Sequence, residues 1–137
     1  MKFTIPERGG LSLEETMELL INDKTYKFTF GIAFLRELDK KAEVEKNGIK
    51  FGIGLDTAVP FLFENNPIKL EEILLAANKT ETPKVTVSEL DSYIENVDDI
   101  EALFDDVINE LQESNVTKLK VKAVKALMEK QTANQSK

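Results

Sequence analysis

The sequence predicts an α+β fold: a mainly α-helical domain of about five or six helices that carries a short N-terminal β-hairpin. Apolar residues recur at every second position before Gly31 and at helical spacing after it. The chain has 137 residues, of which 42% are hydrophobic, so it can bury one core but is short for two domains. We therefore predict a single compact domain over residues 17–130.

The two ends of the chain lack this regularity. A proline and two glycines interrupt residues 1–16, which we expect to form a loosely ordered leader or extension. Met17 opens the regular part of the chain and could be a second translation start. Residues 131–137 are mostly polar, and we expect them to form a frayed C-terminal tail.

Two short strands, at residues 19–21 and 26–30, form the predicted hairpin. The segment between them begins with Asn22-Asp23, and these residue types tolerate the left-handed backbone of tight turns. One face of the second strand is aromatic, with Tyr26, Phe28 and Phe30 at alternate positions. Because an isolated hairpin is only marginally stable, we expect this aromatic face to pack on helices.

The first helix is predicted over residues 32–46. Its apolar positions from Phe34 to Leu38 follow helical spacing, and the pair Asn47-Gly48 is typical of a helix end. Apolar residues alternate in the segment that follows, IKFGIG, and its glycines loosen the pattern. We expect this segment to be a loop or a short edge strand.

Two further helices are predicted before residue 80. Asp56 or Thr57 can cap the first of them, with Pro60 in its first turn and the pair Asn66-Pro67 at its end. This helix is apolar on most of its sides, so we expect it to be buried. The second helix is amphipathic and runs to about Asn78.

A polar linker then leads to the C-terminal helices. Thr86 and Glu89 fit a capping box for a short helix that extends to about Glu95, with Ser88 as a rival cap. The last helix is predicted after Thr117, although its first residues also alternate like a strand.

The strongest periodic signal lies in the helix between these two. Asp98 or Asp99 can cap its start, where the helix dipole favours negative charge. Its apolar stripe consists of Ile100, Leu103, Phe104, Val107, Ile108 and Leu111. We expect Phe104 to be buried together with Leu103, Val107 and Leu111.

The composition excludes several kinds of site. The chain has no cysteine, which excludes disulfides, thiolate nucleophiles and sulfur-ligated metals. It has no histidine, which removes the commonest general base and transition-metal ligand. The net charge of −7 disfavours binding to nucleic acid, and no apolar run is long enough for a membrane span. We therefore expect a cytoplasmic protein with no cofactor, no nucleic acid partner and no membrane partner.

Carboxylates are the remaining candidates for chemistry. The adjacent pairs Glu71-Glu72 and Asp105-Asp106 diverge by about 100° on a helix, so they are typical of a solvated face rather than of a catalytic pair. Asp98, Asp99 and Glu101 could hold Ca²⁺, but the ligand spacing of an EF-hand loop is missing. We therefore predict no catalytic or metal-binding residues.

Charge is distributed unevenly near the C-terminus. Residues 89–113 include ten acidic residues and no lysine or arginine, whereas residues 116–130 include five lysines and one glutamate. Either the two blocks form a helical hairpin with complementary faces, or the basic block docks on the acidic helix of another copy. A contact between two different patches propagates unless its rotation closes, so docking predicts an open or helical homo-oligomer. The candidate residues for self-association are Asp98, Asp99, Glu101, Asp105, Asp106, Glu110, Lys118, Lys120, Lys122 and Lys125, with Phe51, Phe61 and Phe63 on an apolar alternative.

Four segments of the chain together suggest a family. They are LLINDKTYKFTFGIAFLRELDKK, NGIKFGIGLDTAVPFL, NPIKLEEILLAA and VDDIEALFDDVINEL. Their content and order resemble the tail assembly chaperones of long-tailed, siphovirus-type phages and prophages of Gram-positive bacteria. The resemblance extends from Met17 to about Lys130.

This resemblance implies a non-enzymatic chaperone of the bacterial host cytoplasm. Such a protein binds the tape-measure protein and self-associates along it until tail-tube subunits, which are further candidate partners, replace it. It is then absent from the mature virion. Two other classes of function stay open from the residues themselves: an acidic regulator or DNA mimic, and a structural tail protein retained in the virion.

Overall fold

The structure, a computed structural model, describes residues 16–135 and side chains as far as Gln131. Except for Thr16, the expected leader lies outside these residues. Two antiparallel hairpins and six helices make up the described part of the chain, which confirms the predicted mainly α fold. In chain order the elements are β1 (Thr16–Ile21), β2 (Lys24–Thr29), α1 (Ile32–Asp39), β3 (Glu43–Lys46), β4 (Ile49–Gly52), α2 (Gly54–Phe63), α3 (Pro67–Asn78), α4 (Val87–Asn96), α5 (Ile100–Glu113) and α6 (Lys118–Gln135).

The N-terminal hairpin forms where it was predicted but has a tighter turn. Asn22 and Asp23 alone connect β1 to β2, and both have positive φ angles, of 52° and 65°. This backbone matches the right-handed twist of the flanking strands, and the pairing extends over six residues in each strand. The aromatic face is buried as expected, with Tyr26, Phe28 and Phe30 at most 1% exposed.

Polar side chains fix this hairpin to the helices. Asn78, at the end of α3, is buried, and its amide donates hydrogen bonds to the carbonyl oxygens of Lys27 (2.9 Å) and Pro83 (3.2 Å). Its side-chain oxygen accepts a hydrogen bond from the Val85 N–H at 2.8 Å. One side chain therefore joins β2, α3 and the linker before α4, and none of its polar atoms is left unpaired in the core.

The prediction that the first helix extends to residue 46 is wrong. α1 ends at Asp39, and Glu43–Lys46 forms the strand β3, which pairs with β4. Asn47 and Gly48 both have positive φ angles, so they form a two-residue hairpin turn rather than a helix end. Val44 lies directly opposite Phe51 in this pairing. The first four residues of the IKFGIG segment accordingly form a strand, which was one of the two predicted alternatives, and its last glycine begins α2.

The predicted start of α2 is also wrong. The helix begins at Gly54, and neither Asp56 nor Thr57 caps it. Instead, the Asp39 carboxylate at the end of α1 accepts a hydrogen bond from the Gly54 N–H at 3.0 Å. A side chain at Gly54 would collide with the backbone carbonyl of Leu38, so this close approach requires glycine.

The corner between α2 and α3 corrects two further details. Pro60 lies inside α2 rather than in its first turn. Asn66 does not simply end α2, because its side-chain oxygen caps α3 by accepting hydrogen bonds from the N–H groups of Ile68 and Lys69, both at 3.0 Å. Pro67 follows at the first position of α3, where its missing N–H costs nothing.

The caps and core face of α4 and α5 confirm the sequence analysis. Thr86 and Glu89 form the complete capping box of α4, so Ser88 is not the cap. The Asp99 side chain accepts a hydrogen bond from the Ala102 N–H at 3.0 Å and caps α5. On α5 the stripe is buried at Leu103, Phe104, Val107 and Leu111, whereas Ile100, at its start, is 38% exposed.

α6 is the longest helix and the least buried. It begins at Lys118, as predicted, and contacts α2 and α5. The Thr117 hydroxyl donates a hydrogen bond to the Leu111 carbonyl oxygen at 2.6 Å and so fixes the corner between α5 and α6. Val121 is buried, and Val124 and Met128 are partly buried, on the inner side of the helix.

Candidate interaction surfaces

The outer face of α5 is predominantly acidic, with Ala102 and Asn109 as its exposed uncharged residues. Glu101, Asp105 and Asp106 are exposed there, while Asp98 and Asp99 are exposed at the start of the helix. Glu110 differs from these because it is partly buried. The predicted acidic patch therefore exists as an exposed surface, with Glu110 at its margin.

The lysines of α6 do not neutralise this acidic surface. Lys118, Lys120, Lys122 and Lys125 are all exposed. The Lys120 Nζ lies 3.0 Å from Asp56 Oδ1 on α2, and no ion pair between described residues joins any of these four lysines to α5. α5 and α6 are neighbours, as a helical hairpin would require, but their opposite charges stay available to solvent.

α6 also carries a second row of apolar residues on its outer side. Leu119, Ala123 and Leu127 follow at intervals of four residues and therefore share one face, with Lys122 and Lys130 beside them. These five residues are named the outer stripe here. Leu119 is 73% exposed and Leu127 is 56% exposed, which is unusual for leucine side chains on a helix that packs on a core.

The predicted apolar residues on α2 have two different environments. Phe61 is 44% exposed, and the Lys69 Nζ lies 5.8 Å above its ring centroid, within cation–π range. Phe63 is partly buried in a cleft of about 320 Å³ between α2 and α6, where Lys125 and Met128 also line the wall. The expectation that α2 is buried on most sides therefore fails at Phe61.

Phe51 belongs to a third apolar surface, on the hairpin of β3 and β4. It lies opposite Val44, and Ile49 lies two residues away on the same side of the strand. These three residues are named the hairpin face here. Their exposures are 42% for Val44, 58% for Ile49 and 46% for Phe51. The hairpin contacts α1 through β4, and all of its residues are exposed.

An acidic groove of about 330 Å³ lies between the turn of the first hairpin and α4. Tyr93 and Val97 are partly buried apolar residues in its lining. Its polar lining includes Glu89, Ser92 and Asp98. The groove thus combines an apolar lining with carboxylates. Its α4 side belongs to the stretch of residues 89–113, which contains no basic residue.

Glu89 is held in its charged form in this groove. The Thr86 N–H donates a hydrogen bond to it at 2.9 Å, and the Tyr26 hydroxyl donates another at 2.9 Å. Both hydrogen bonds lower the pKa of Glu89, and the one from the Thr86 backbone has the larger effect. The Lys24 charge nearby acts in the same direction. The groove therefore retains a negative charge at neutral pH.

A second group of carboxylates lies between α3 and α4. Burial raises the pKa of Glu71 to about 7, and the hydrogen bond to Asp91 and the negative charges of Asp91, Glu72 and Glu95 act in the same direction. The adjacent pair Glu71-Glu72 is therefore not a purely solvated face, as the sequence suggested. No group of acidic residues within residues 16–131 is arranged to hold a metal ion.

Sequence reasoning found the charged surfaces and named Phe51 as an apolar candidate, but it missed the rest of the hairpin face, the outer stripe and the acidic groove. The hairpin face was hidden because Asn47-Gly48 was interpreted as a helix end. The outer stripe has a sequence signal, since Leu119 and Leu127 are eight residues apart and on the opposite side from Val121. The acidic groove has no such signal, because its residues come from two elements that are far apart in the chain.

Comparison with known families provides one match. A family model described as phage tail assembly chaperone protein (TAC) matches residues 18–125, from β1 into α6, which confirms the resemblance noted in the sequence. No curated protein and no solved structure matches the chain. Among the described helices, none is both long enough and apolar enough to cross a membrane.

Proposed function

The chain belongs to the phage tail assembly chaperone family, and from this we propose that it binds the tape-measure protein and self-associates along it during tail assembly. Family membership implies a non-enzymatic role and suggests interaction with tail proteins. In the proposal, the protein acts in the cytoplasm of the bacterial host, tail-tube subunits later replace it, and it does not stay in the mature virion.

The observation that supports tape-measure binding is the exposed hairpin face. Val44, Ile49 and Phe51 place three large apolar side chains side by side on a small hairpin. Such a row is costly in water unless a partner covers it, so adjacent exposed apolar residues often mark an interaction site. The net charge of −7 keeps a chain with such surfaces soluble. An apolar, helical partner is the kind of segment that this surface fits.

The proposed self-association uses the oppositely charged side chains of α5 and α6. The acidic candidates are Asp98, Asp99, Glu101, Asp105, Asp106 and Glu110, and the basic ones are Lys118, Lys120, Lys122 and Lys125. Except for Glu110, which is partly buried, these side chains are exposed, and this supports this part of the proposal, because exposed charges of opposite sign can attract another copy. Phe51, Phe61 and Phe63 are the apolar alternative.

The experiment is co-expression with the tape-measure protein of the phage that encodes this chain. We expect the tape-measure protein to be soluble and to co-purify with the chaperone. The double variant Ile49→Ser/Phe51→Ser should reduce this co-purification, because it removes two apolar side chains of the hairpin face. The matched control is Glu45→Ser/Lys50→Ser, a cross-strand pair on the other side of the same hairpin.

Two results would contradict the proposal. Failure of the wild-type chain to co-purify with the tape-measure protein would show that the proposed function is wrong. Detection of the chain by mass spectrometry in purified virions, at the level of structural proteins, would identify it as a tail component instead.

A further inference from the structure

We propose that the outer stripe of α6 docks in the acidic groove of a second copy of this chain. The proposal rests on the self-association in the proposed function and assigns one surface to each side of the contact. It places the basic helix on α4 and the first hairpin turn of the neighbour, rather than on the outer face of α5.

The outer stripe has the composition of a docking helix. Its apolar centre is Leu119, Ala123 and Leu127, and all three are exposed. Lys122 lies one position before Ala123, and Lys130 lies one turn beyond Leu127. An amphipathic helix of this kind is recognised through apolar anchors at intervals of three and four residues, with its lysines on an acidic rim.

No element among the described residues covers this stripe. α6 contacts α2 and α5 through its inner side, where Val121 is 1% exposed. Leu119 lies on the opposite side of the same helix turn, and α6 is continuous through Gln135, so it does not fold back over its own outer side. Within the described residues, the outer stripe is therefore accessible to a second molecule.

The acidic groove offers the complementary surface. Its partly buried Tyr93 and Val97 supply an apolar lining, and Glu89 and Asp98 supply negative charge at its walls. Burial raises the pKa of Tyr93, and the negative charge of Asp106 raises it further. Asp106 therefore adds to the negative electrostatic field at the groove. The positive charge of Lys24 lies near Glu89 and weakens the negative field there.

Charge complementarity decides in favour of a second copy as the occupant. The stripe is basic and the groove is acidic, so contacts between two stripes or between two grooves repel, and a stripe facing a groove attracts. Each molecule has one of each, and the two surfaces are different. Every copy can therefore bind one neighbour through its stripe and another through its groove.

A charge-exchange experiment tests this assignment in the full chain. The stripe variant is Lys122→Glu/Lys130→Glu, and the groove variant is Ser92→Lys/Asp98→Lys. All four side chains are exposed, and none makes a side-chain hydrogen bond or ion pair with another described residue. The control variant, Lys46→Glu/Lys50→Glu, changes the charge by the same amount as the stripe variant but on the second hairpin.

Self-association is measured by sedimentation velocity at low salt. Each variant alone should associate at least about tenfold more weakly than the wild type, since like charges then face each other. An equimolar mixture of the stripe and groove variants should associate again, because the acidic stripe of one fits the basic groove of the other. The control should behave as the wild type does.

Three outcomes overturn the proposal. Oligomers that survive both variants show that another surface is used, and a mixture that fails to associate removes the pairing of stripe with groove. A Leu119→Ser/Leu127→Ser variant that assembles normally but no longer co-purifies with the tape-measure protein reassigns the stripe to that partner. The stripe variant is also tested for co-purification with the tape-measure protein. This binding should persist when the stripe charges are reversed, so a failure of the docking proposal can be distinguished from a failure of the proposed function.

Discussion

Asp39 replaces a local cap at the start of α2. Its carboxylate accepts the Gly54 N–H from the end of a different helix, where a Ser, Thr, Asp or Asn just before α2 would normally do so. The position before the helix is Ile53, which has no capping group. Asp39 therefore links α1 to α2, and with them the base of the second hairpin, since β4 leads directly into α2.

Glu71 gives the stability of the protein a specific pH dependence. Its pKa is about 7 in the folded protein and about 4.5 when exposed, so the folded state binds more protons between these pH values. Stability is highest when Glu71 is protonated and falls as the pH rises through this window. The lowered pKa of Glu89 makes stability rise with pH instead, but this effect lies below pH 4.5. The chain has no histidine that could titrate between pH 4.5 and 7.

We predict that the melting temperature of the wild type is lower at pH 8 than at pH 5.5, and that Glu71→Gln reduces this difference. The substitution removes the charge that burial, Asp91, Glu72 and Glu95 disfavour, so the variant should gain stability relative to the wild type at pH 8. Thermal unfolding followed by circular dichroism measures both effects. Glu113→Gln, on the exposed side of α5, is the control and should keep the wild-type pH difference. A Glu71→Gln variant with the same pH difference as the wild type would show that other groups cause it.

At the scale of elements, α5 carries the clearest division between a core face and a solvent face. Four apolar residues of one stripe are buried, and the opposite side holds acidic residues. Most helical stability in proteins comes from packing such a face rather than from intrinsic propensity. α6 differs because apolar residues lie on two of its sides, and only the inner side is buried.

We predict that Phe104→Ala lowers the free energy of unfolding by about 3–5 kcal/mol, as large-to-small substitutions in cores do. Phe104 is 4% exposed within the core stripe of α5. Chemical denaturation measures the change. Ile100→Ala, one turn earlier on the same helix and 38% exposed, is the matched control and should cost clearly less. An unchanged melting temperature for Phe104→Ala would mean that the helix presents another side to the core.

At the scale of the whole molecule, the charges are segregated rather than mixed. The net charge of −7 is the sum over an acidic region on α4 and α5, a basic region on α6 and the rest of the chain. Segregated charge guides association and gives it direction, while adding modestly to affinity. This arrangement suits the proposed contacts between copies, which would form along the tape-measure protein and later be released.

We predict that self-association weakens as salt is added. Charges on the surface are screened over about 10 Å at 0.1 M salt and about 3 Å at 1 M, so a contact between acidic and basic patches loses its attraction. Light scattering at both salt concentrations measures the effect. Oligomers that are insensitive to salt would place the contact on apolar residues, with Phe51, Phe61 and Phe63 as the first candidates. A chain that stays monomeric at high concentration in low salt would contradict self-association.

The sequence by itself determined the elements whose signals are local. The first hairpin and the core stripe of α5 were predicted from nearby residues, and the caps of α4 and α5 were each narrowed to two candidates, from which the structure selects Thr86 and Asp99. In each of them, the side chain that satisfies the backbone or completes the apolar face lies within a few positions along the chain. The acidic and basic blocks could be located for the same reason, since each is a run of like charges along the chain.

Only the tertiary structure decided the features that depend on distant residues. Asn47-Gly48 is compatible with a helix end and with a hairpin turn, and the pairing of Val44 with Phe51 selects the turn. The start of α2 depends on a carboxylate from α1, and the acidic groove joins the first hairpin turn to α4. The outer stripe can be identified only because the burial of Val121 defines which side of α6 faces the core. In all of these cases the deciding contact joins residues far apart in the chain, so no local pattern contains it.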